Sequence, residues 1–340
     1  MDAPTLPANF LLTGDHYVNP RWTPLEQSHI FHKTWLFVGD AKTLAPGQAQ
    51  ALTIADRPLL ITCSSDGTLQ AFYNICPHRA ALLCPEGSIK TCDRLVCPYH
   101  AWSYNLDGQL QGLPGRKRFG EPLDFRDFAL KPVRLETWSD FIFVCFSGDP
   151  PDLHTFLAPI PEELGQHRQP TSQFLFTRSH LIHCNWKNYH DNTLCDYHVA
   201  IAHRQTLHQI QGPVTQYRHL FDQFTNALIT PLPQAWLTQN KQAPQLSAQA
   251  AKYLYTFGIF PNLHLFAFPD GLLVWLHIEP LTSETCRVVI AAYGDPACCP
   301  PIDLLKQDFA EFMSEDIALV ESVQKGYASE MYIPGPVNQL

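Results

Sequence analysis

The feature that most narrows the folds open to this chain is a pair of short motifs, Cys76-Pro77-His78 and Cys97-Pro98-Tyr99-His100, separated by eighteen residues. Each half offers one thiolate and one imidazole, and four such ligands in this order are improbable as ordinary core or surface residues. The two loops must come from neighbouring hairpin tips, with the prolines stiffening the turns so that the side chains converge. The flanking sequence agrees. From Trp35 to Phe146 short β-rich runs (Ala51 to Ile54, Leu59 to Cys63, Leu69 to Asn74, Phe141 to Phe146) are expected, with Ser65-Asp66-Gly67 and Asp107-Gly108 as hairpin turns. A small antiparallel β domain is predicted over 35–150, ended by Gly148-Asp149-Pro150-Pro151 and the prolines through Pro161.

Two metal chemistries use such a quartet. A [2Fe-2S] cluster with Cys76 and Cys97 on one iron and His78 and His100 on the other needs two loops of this composition, the neutral imidazoles raising its reduction potential. Zinc is the rival, since Cys2His2 is a known structural set. Zinc fingers, however, pair Cys with Cys and His with His, whereas each motif here mixes the two.

The rest of the chain reads as a second domain, 160–340, preceded in space by an N-terminal helical segment, 1–34, that packs on it. Thr23-Pro24-Leu25-Glu26 is a capping box with proline at the first helical position, followed by Ile30, Phe31 and Trp35 at helical spacing. Strands are expected over Gln173 to Ile182, Tyr253 to Phe260, Leu263 to Phe268, Leu272 to Glu279 and Cys286 to Tyr293. A helix is expected from Asn185 to about His208, which contains no proline or glycine, and another from about Asp303 to Lys325. Strands flanked by helices imply an α+β fold with an antiparallel sheet. Val214 to Tyr253 has no residue-level assignment but is expected to shape a pocket.

Composition removes several function classes. A net charge of -9 on 340 residues argues against a nucleic-acid surface. No apolar window reaches the roughly 18 to 20 residues of a membrane span. The N-terminus, Met1 to Pro7, has neither a positive region nor an apolar run, so no signal peptide is expected. Eleven cysteines, an odd number, then fit a reducing, cytoplasmic setting without disulfides. Small-molecule chemistry is favoured.

A second constellation follows Asn185-Trp186-Lys187: Asp191-Asn192, Asp196-Tyr197-His198 and His203. Two imidazoles and a carboxylate on one face of Fe(II) leave positions open for O2 and substrate. Five residues put His198 and His203 about 140° apart on an ideal helix, so convergence needs a local distortion. By itself the spacing is weak, because the chain has sixteen histidines and His208 repeats the interval.

The string Cys97-Pro98-Tyr99-His100-Ala101-Trp102-Ser103-Tyr104, with the C-x-H motif before it, resembles the Rieske ring-hydroxylating oxygenase family. Ala101 stands where that family has glycine, and Tyr99 where electron-transport Rieske proteins carry an extra cysteine. Asn185-Trp186-Lys187 through His203 and Ser314 to Gln324 are similar to the family's catalytic motifs, and the likeness is nearest to choline and glycine betaine monooxygenases. The resemblance implies a helix-grip catalytic domain, iron held by His198, His203 and Asp316 (Glu315 the nearest alternative), and catalytic roles for Asn192 and Asp196. It further implies a head-to-tail homotrimer in which an acidic residue bridges cluster and iron. The family's bridging position is Cys195 here, so Asp196 is expected to take the role by helix distortion, with Cys195 packed against apolar neighbours.

The implied activity is reductive O2 activation that hydroxylates or demethylates a small organic substrate. Aromatic ring cis-dihydroxylation is the alternative, and an electron-transfer or regulatory protein using only the cluster is the rival of another class. No G-x-G-x-x-G follows a strand, so a separate reductase or ferredoxin is expected to deliver electrons. Gly115-Arg116-Lys117-Arg118 could meet an acidic donor, although a solvated loop is the plainer reading.

Overall fold

The computed structural model describes residues 12–120, 124–165, 167–244 and 246–335. The N-terminal stretch read for a signal peptide and the last proline of the Pro-Gly-Pro run lie outside them. The chain forms two compact units: Glu26–Phe156, and the remainder up to Leu25 together with the chain from Leu157.

The first unit holds a seven-stranded antiparallel sheet in the order β1-β10-β9-β4-β3-β2-β5. Its strands are β1 (Leu36–Asp40), β2 (Gln48–Ile54), β3 (Arg57–Cys63), β4 (Leu69–Tyr73), β5 (Ile89–Thr91), β9 (Pro132–Trp138) and β10 (Phe141–Cys145). A separate three-stranded sheet comprises β6 (Leu95–Val96), β7 (Ser103–Tyr104) and β8 (Leu110–Gly112). Cys76 and Cys97 belong to the buried cluster that joins Leu60 and Phe72 of the large sheet with Trp102 and Tyr104. The cluster loops therefore grow directly out of a hydrophobic core.

The second unit is built on another seven-stranded antiparallel sheet, β11-β17-β16-β15-β14-β13-β12. It contains β11 (Gln173–Ile182), β12 (Arg218–Phe221), β13 (Thr225–Pro231), β14 (Tyr253–Ile259), β15 (Leu263–Ala267), β16 (Leu273–Pro280) and β17 (Cys286–Gly294). A C-terminal helix, Ile302–Tyr327, buries Leu305, Phe309, Phe312, Met313, Asp316, Val320 and Gln324. Those positions recur at helical spacing, so one stripe faces the unit's interior and carries two polar residues within it. No helix among the described residues is long and apolar enough to cross a membrane.

Two expectations need correcting. A short helix, Asp15–Val18, comes first; the helix at the capping box begins at Trp22, one residue before it, and its last turn is π-helical over Gln27–Phe31, closed by His32 N–H donating to the Gln27 carbonyl at 2.9 Å. The helix expected from Asn185 to about His208 is three pieces, Trp186–Leu194, Val199–Ala202 and Leu207–Ile210. No glycine or proline breaks it. Tertiary packing does, as the site geometry explains.

Candidate metal centres

The two cluster loops use the same backbone device. Cys76 N–H donates to the Ala81 carbonyl and Ala80 N–H to the Cys76 carbonyl, while Cys97 N–H donates to Trp102 and Ala101 N–H to Cys97. Each turn puts an alanine in the left-handed region, Ala80 at φ 56° and Ala101 at φ 58°. Buried Asn74, which the sequence reading missed, latches the first loop: its Oδ1 accepts from Leu83 and Cys84 N–H, both at 3.1 Å, and its Nδ2 donates to the Cys84 carbonyl at 2.8 Å.

Cys76 and Cys97 are buried, whereas His100 is exposed and its ring centroid lies 4.5 Å from that of His78. His78 stacks on Trp102 at 4.7 Å and 2°. Its Nδ1 is buried without a hydrogen-bond partner. Burial pushes the Cys76 thiol up, opposed by the Tyr104 hydroxyl 3.2 Å from its sulfur, so a thiolate there calls for a cation. Burial, then His100, lowers His78, which favours the neutral ligating imidazole. An orphaned imidazole nitrogen beside buried thiols fits a metal group.

The second centre depends on the break in the helix. Asn185 caps the helix Trp186–Leu194 by accepting from Lys187 N–H at 3.0 Å, and its own N–H donates to Gln324 Oε1. Asn188 Nδ2 donates to the Val320 carbonyl at 2.9 Å and Asn192 Nδ2 to Asp316 Oδ1 at 2.8 Å. These amides fasten one face of this site helix to the C-terminal helix. The opposite face is fastened to the sheet, where Leu194 lies over Gly258 so closely that a Cβ there would collide with its Cδ2. Cys195 then turns extended, at φ -94° and ψ 118°. The chain restarts as a single turn, Val199–Ala202, with His198 and His203 at its two ends.

Breaking the helix removes the 140° mismatch. His198 Nε2 and His203 Nε2 stand 3.2 Å apart, and Asp316 Oδ1 lies 3.4 Å from the first and 3.0 Å from the second. Among the described residues, the ligand atoms of these three all lie within 4.8 Å of one another. His203 is 1% and Asp316 6% exposed. Burial alone would lower the pKa of His198, but its bonds to Asp316 and Cys195 outweigh that and raise it to about 9. Burial would raise Asp316, yet the two imidazoles hold it below its usual range. The trio therefore retains a positive charge, a proton by default and a divalent cation by the chemistry of its donors.

Glu315 is not in the trio. Its Oε2 lies 2.7 Å from His203 Nδ1 and accepts from the Thr206 hydroxyl at 2.6 Å, so it orients the ring from behind. Cys195 departs from expectation: it is exposed rather than packed against apolar neighbours, and the neighbouring His198 draws its thiol pKa down. The extended backbone at Cys195 swings it out. Asp196 faces His219, with Oδ2 3.4 Å from Nε2.

Comparison with known proteins places both halves. Residues 34–136 match the Rieske [2Fe-2S] domain, and residues 161–339 match the ring hydroxylating alpha subunit (catalytic domain). The first match decides for an iron-sulfur cluster over zinc. The chain is 34% identical over 204 residues to the glycine betaine monooxygenase oxygenase subunit of Chromohalobacter salexigens, a match spanning 58% of this chain and 45% of that protein. It is 26% identical over 345 residues to the chloroplastic choline monooxygenase of Spinacia oleracea, covering 98% of this chain and 74% of that one. The fold is shared with the quaternary ammonium Rieske monooxygenase CntA, at a TM-score of 0.81 and 23% identity over 96% of this chain and 88% of that one. Because the catalytic match alone takes in more than half of the chain and the cluster match precedes it in order, the chain belongs to the ring-hydroxylating alpha-subunit family of Rieske non-haem iron proteins.

Proposed function

We propose that the chain is the oxygenase component of a two-part system, taking electrons at a [2Fe-2S] cluster held by Cys76, His78, Cys97 and His100 and hydroxylating or demethylating a small organic substrate at an Fe(II) held by His198, His203 and Asp316. The observation that carries this reading is the trio itself, two imidazoles and one carboxylate within 4.8 Å, which an electron carrier would not need. Bound there, Fe(II) supplies O2 activation. The protein's own share is orientation: Asn192 fixes Asp316 and Glu315 fixes the His203 ring.

The names of the relatives, which oxidise choline and glycine betaine, support monooxygenation of a compound of that size. Tyr197 and Ile201, 73% and 79% exposed on either side of His198, form an apolar rim that fits burial against another copy, in keeping with a homotrimer. Asp196 is the proposed carboxylate of the cluster-to-iron relay and Cys195 the competing contact. Slower single-turnover electron transfer in Asp196→Asn but not in Cys195→Ala would support the first.

Purified anaerobically, the protein should be brown with about three irons per chain. Steady turnover should require an added reductase or ferredoxin. A chemically reduced sample should give about one turnover. Sustained NADH oxidation by the chain alone, or a colourless zinc protein, would overturn the reading.

A further inference from the structure

Two histidines of the catalytic unit have no part in holding metal. His190 Nδ1 and His264 Nε2 stand 2.9 Å apart, their rings 4.7 Å between centroids. The site helix meets the sheet at two points one turn apart: Leu194 lies on Gly258, and His190 lies on His264, the β15 residue paired with Gly258. His264 is 0% exposed, and its Nδ1 is buried without a hydrogen-bond partner. His190 keeps accessible surface although burial lowers its pKa to about 4. Surface in low-dielectric surroundings is what a side chain at the wall of an internal recess has.

Hydrogen-bond arithmetic sharpens the point. Two neutral imidazoles own two donors and two acceptors, and their shared bond uses one of each. One donor and one acceptor are left, whichever tautomer each ring adopts. A buried polar atom left without a partner keeps its full desolvation cost, which two leucines in the same space would avoid. Apart from their influence on each other, no charged group contributes to the shift of either ring. A second purely structural role thus has no partner to explain it. Meanwhile Asn192, on the other face of the same helix, bonds the carboxylate of the iron trio.

We propose that His190, held in place by His264 behind it, is the polar wall of the substrate pocket and hydrogen-bonds an oxygen of the substrate, a carboxylate, carbonyl or hydroxyl, so positioning the bond to be oxidised. A quaternary nitrogen has no proton to donate and no lone pair, so the dyad reads the oxygen-bearing end of a substrate and not an ammonium head. This assignment rests on the proposed iron chemistry.

The test uses the holoenzyme with its cluster and Fe(II), following the electron paramagnetic resonance of the nitric oxide adduct of the mononuclear iron. Two matched pairs of probes are titrated, glycine betaine against tetramethylammonium and benzoate against toluene. In wild type the oxygen-bearing member of at least one pair should perturb the signal at about tenfold lower concentration, the effect of one hydrogen bond to a charged group. That advantage should shrink to within about twofold in His264→Leu and in His190→Leu, and survive in part in His264→Asn, whose amide can still bond. An undiminished advantage in a folded, iron-replete variant would overturn the dyad's role and leave the iron chemistry standing. So would equal binding of both members of each pair in wild type, or no perturbation by any probe. Absence of the mononuclear iron signal in wild type would instead overturn the iron reading and the dyad with it.

Discussion

The two metal centres of this chain are assembled in opposite ways. In the cluster unit, the proposed ligands sit within two short turns that repeat one hydrogen-bond pattern, each closing on its own cysteine. In the catalytic unit, His198 and His203 bracket a single helical turn, and the carboxylate arrives from a helix more than a hundred residues later. The first centre is written in local turn chemistry. The second exists only when helix packing, asparagine amides and a broken helix are all in place, so it should be the more easily lost.

The largest effect should come from deleting a ligand in each. Asp316→Ala should weaken mononuclear iron by more than the 10–100-fold typical of outer-shell losses, while the cluster spectrum stays intact. His100→Ala should do the reverse. Iron analysis and the cluster's resonance signal read both, and loss of the cluster in Asp316→Ala would erase the distinction between the centres.

A smaller effect is expected one layer out. Asn192→Ala and Glu315→Gln leave every proposed ligand in place but free Asp316 and the His203 ring to rotate, so iron affinity should fall about 10–100-fold. If affinity in Glu315→Gln and Asn192→Ala matches wild type, the catalytic centre is as locally determined as the cluster.

These layers also separate what the sequence discloses from what it conceals. The proposed cluster ligands are legible because turn spacing is local. Asp316 against Glu315 could have been decided from the pattern alone: Leu305, Phe309, Phe312, Val320 and Gln324 define the buried stripe, and Asp316 falls on it whereas Glu315 lies about 100° away. The break at Cys195 had no signal, since neither proline nor glycine marks it. It follows from Leu194 seating on Gly258 and Asn192 on Asp316, contacts with strand and helix far along the chain. Strands β12 and β13, in a stretch that gave no assignment, are likewise fixed by their neighbours in the sheet.

Acid should distinguish the units next. The catalytic unit buries His167, His190 and His264 as neutral rings, burial lowering the first two to about 4 and the third well below its usual value. The unfolded chain protonates these imidazoles near pH 6.5 and the folded unit only well below that, near 4 for His167 and His190, so stability is full above 6.5 and falls as pH drops through that window. His167 alone corresponds to roughly 3 kcal/mol at the lower end. Denaturant unfolding at pH 7 and pH 5 should show the catalytic unit weakened, and His167→Gln should lessen the difference. An unchanged midpoint would remove buried histidines from the comparison.

The smallest effect tests the local coding of the cluster turns most directly. Ala101 is held at φ 58°, where an alanine Cβ crowds the neighbouring carbonyl at a cost of about 1–2 kcal/mol. Glycine relieves that crowding but carries more freedom in the unfolded chain, about 0.5–1 kcal/mol, so Ala101→Gly should stabilise the cluster unit by a few tenths to about 1 kcal/mol. Ala202, in the helical turn between His198 and His203, offers the opposite case. Its backbone is right-handed, glycine there gains no relief, and Ala202→Gly should destabilise by about 0.5–1 kcal/mol. Thermal loss of the cluster chromophore measures the first, and unfolding of the catalytic unit the second. Opposite signs would mean that the backbone of the cluster turn, strained by its alanine, is imposed by the turn's own hydrogen bonds. A loss of stability in both would mean that Ala101 is held by packing after all, and that the cluster loops are as dependent on their surroundings as the iron trio.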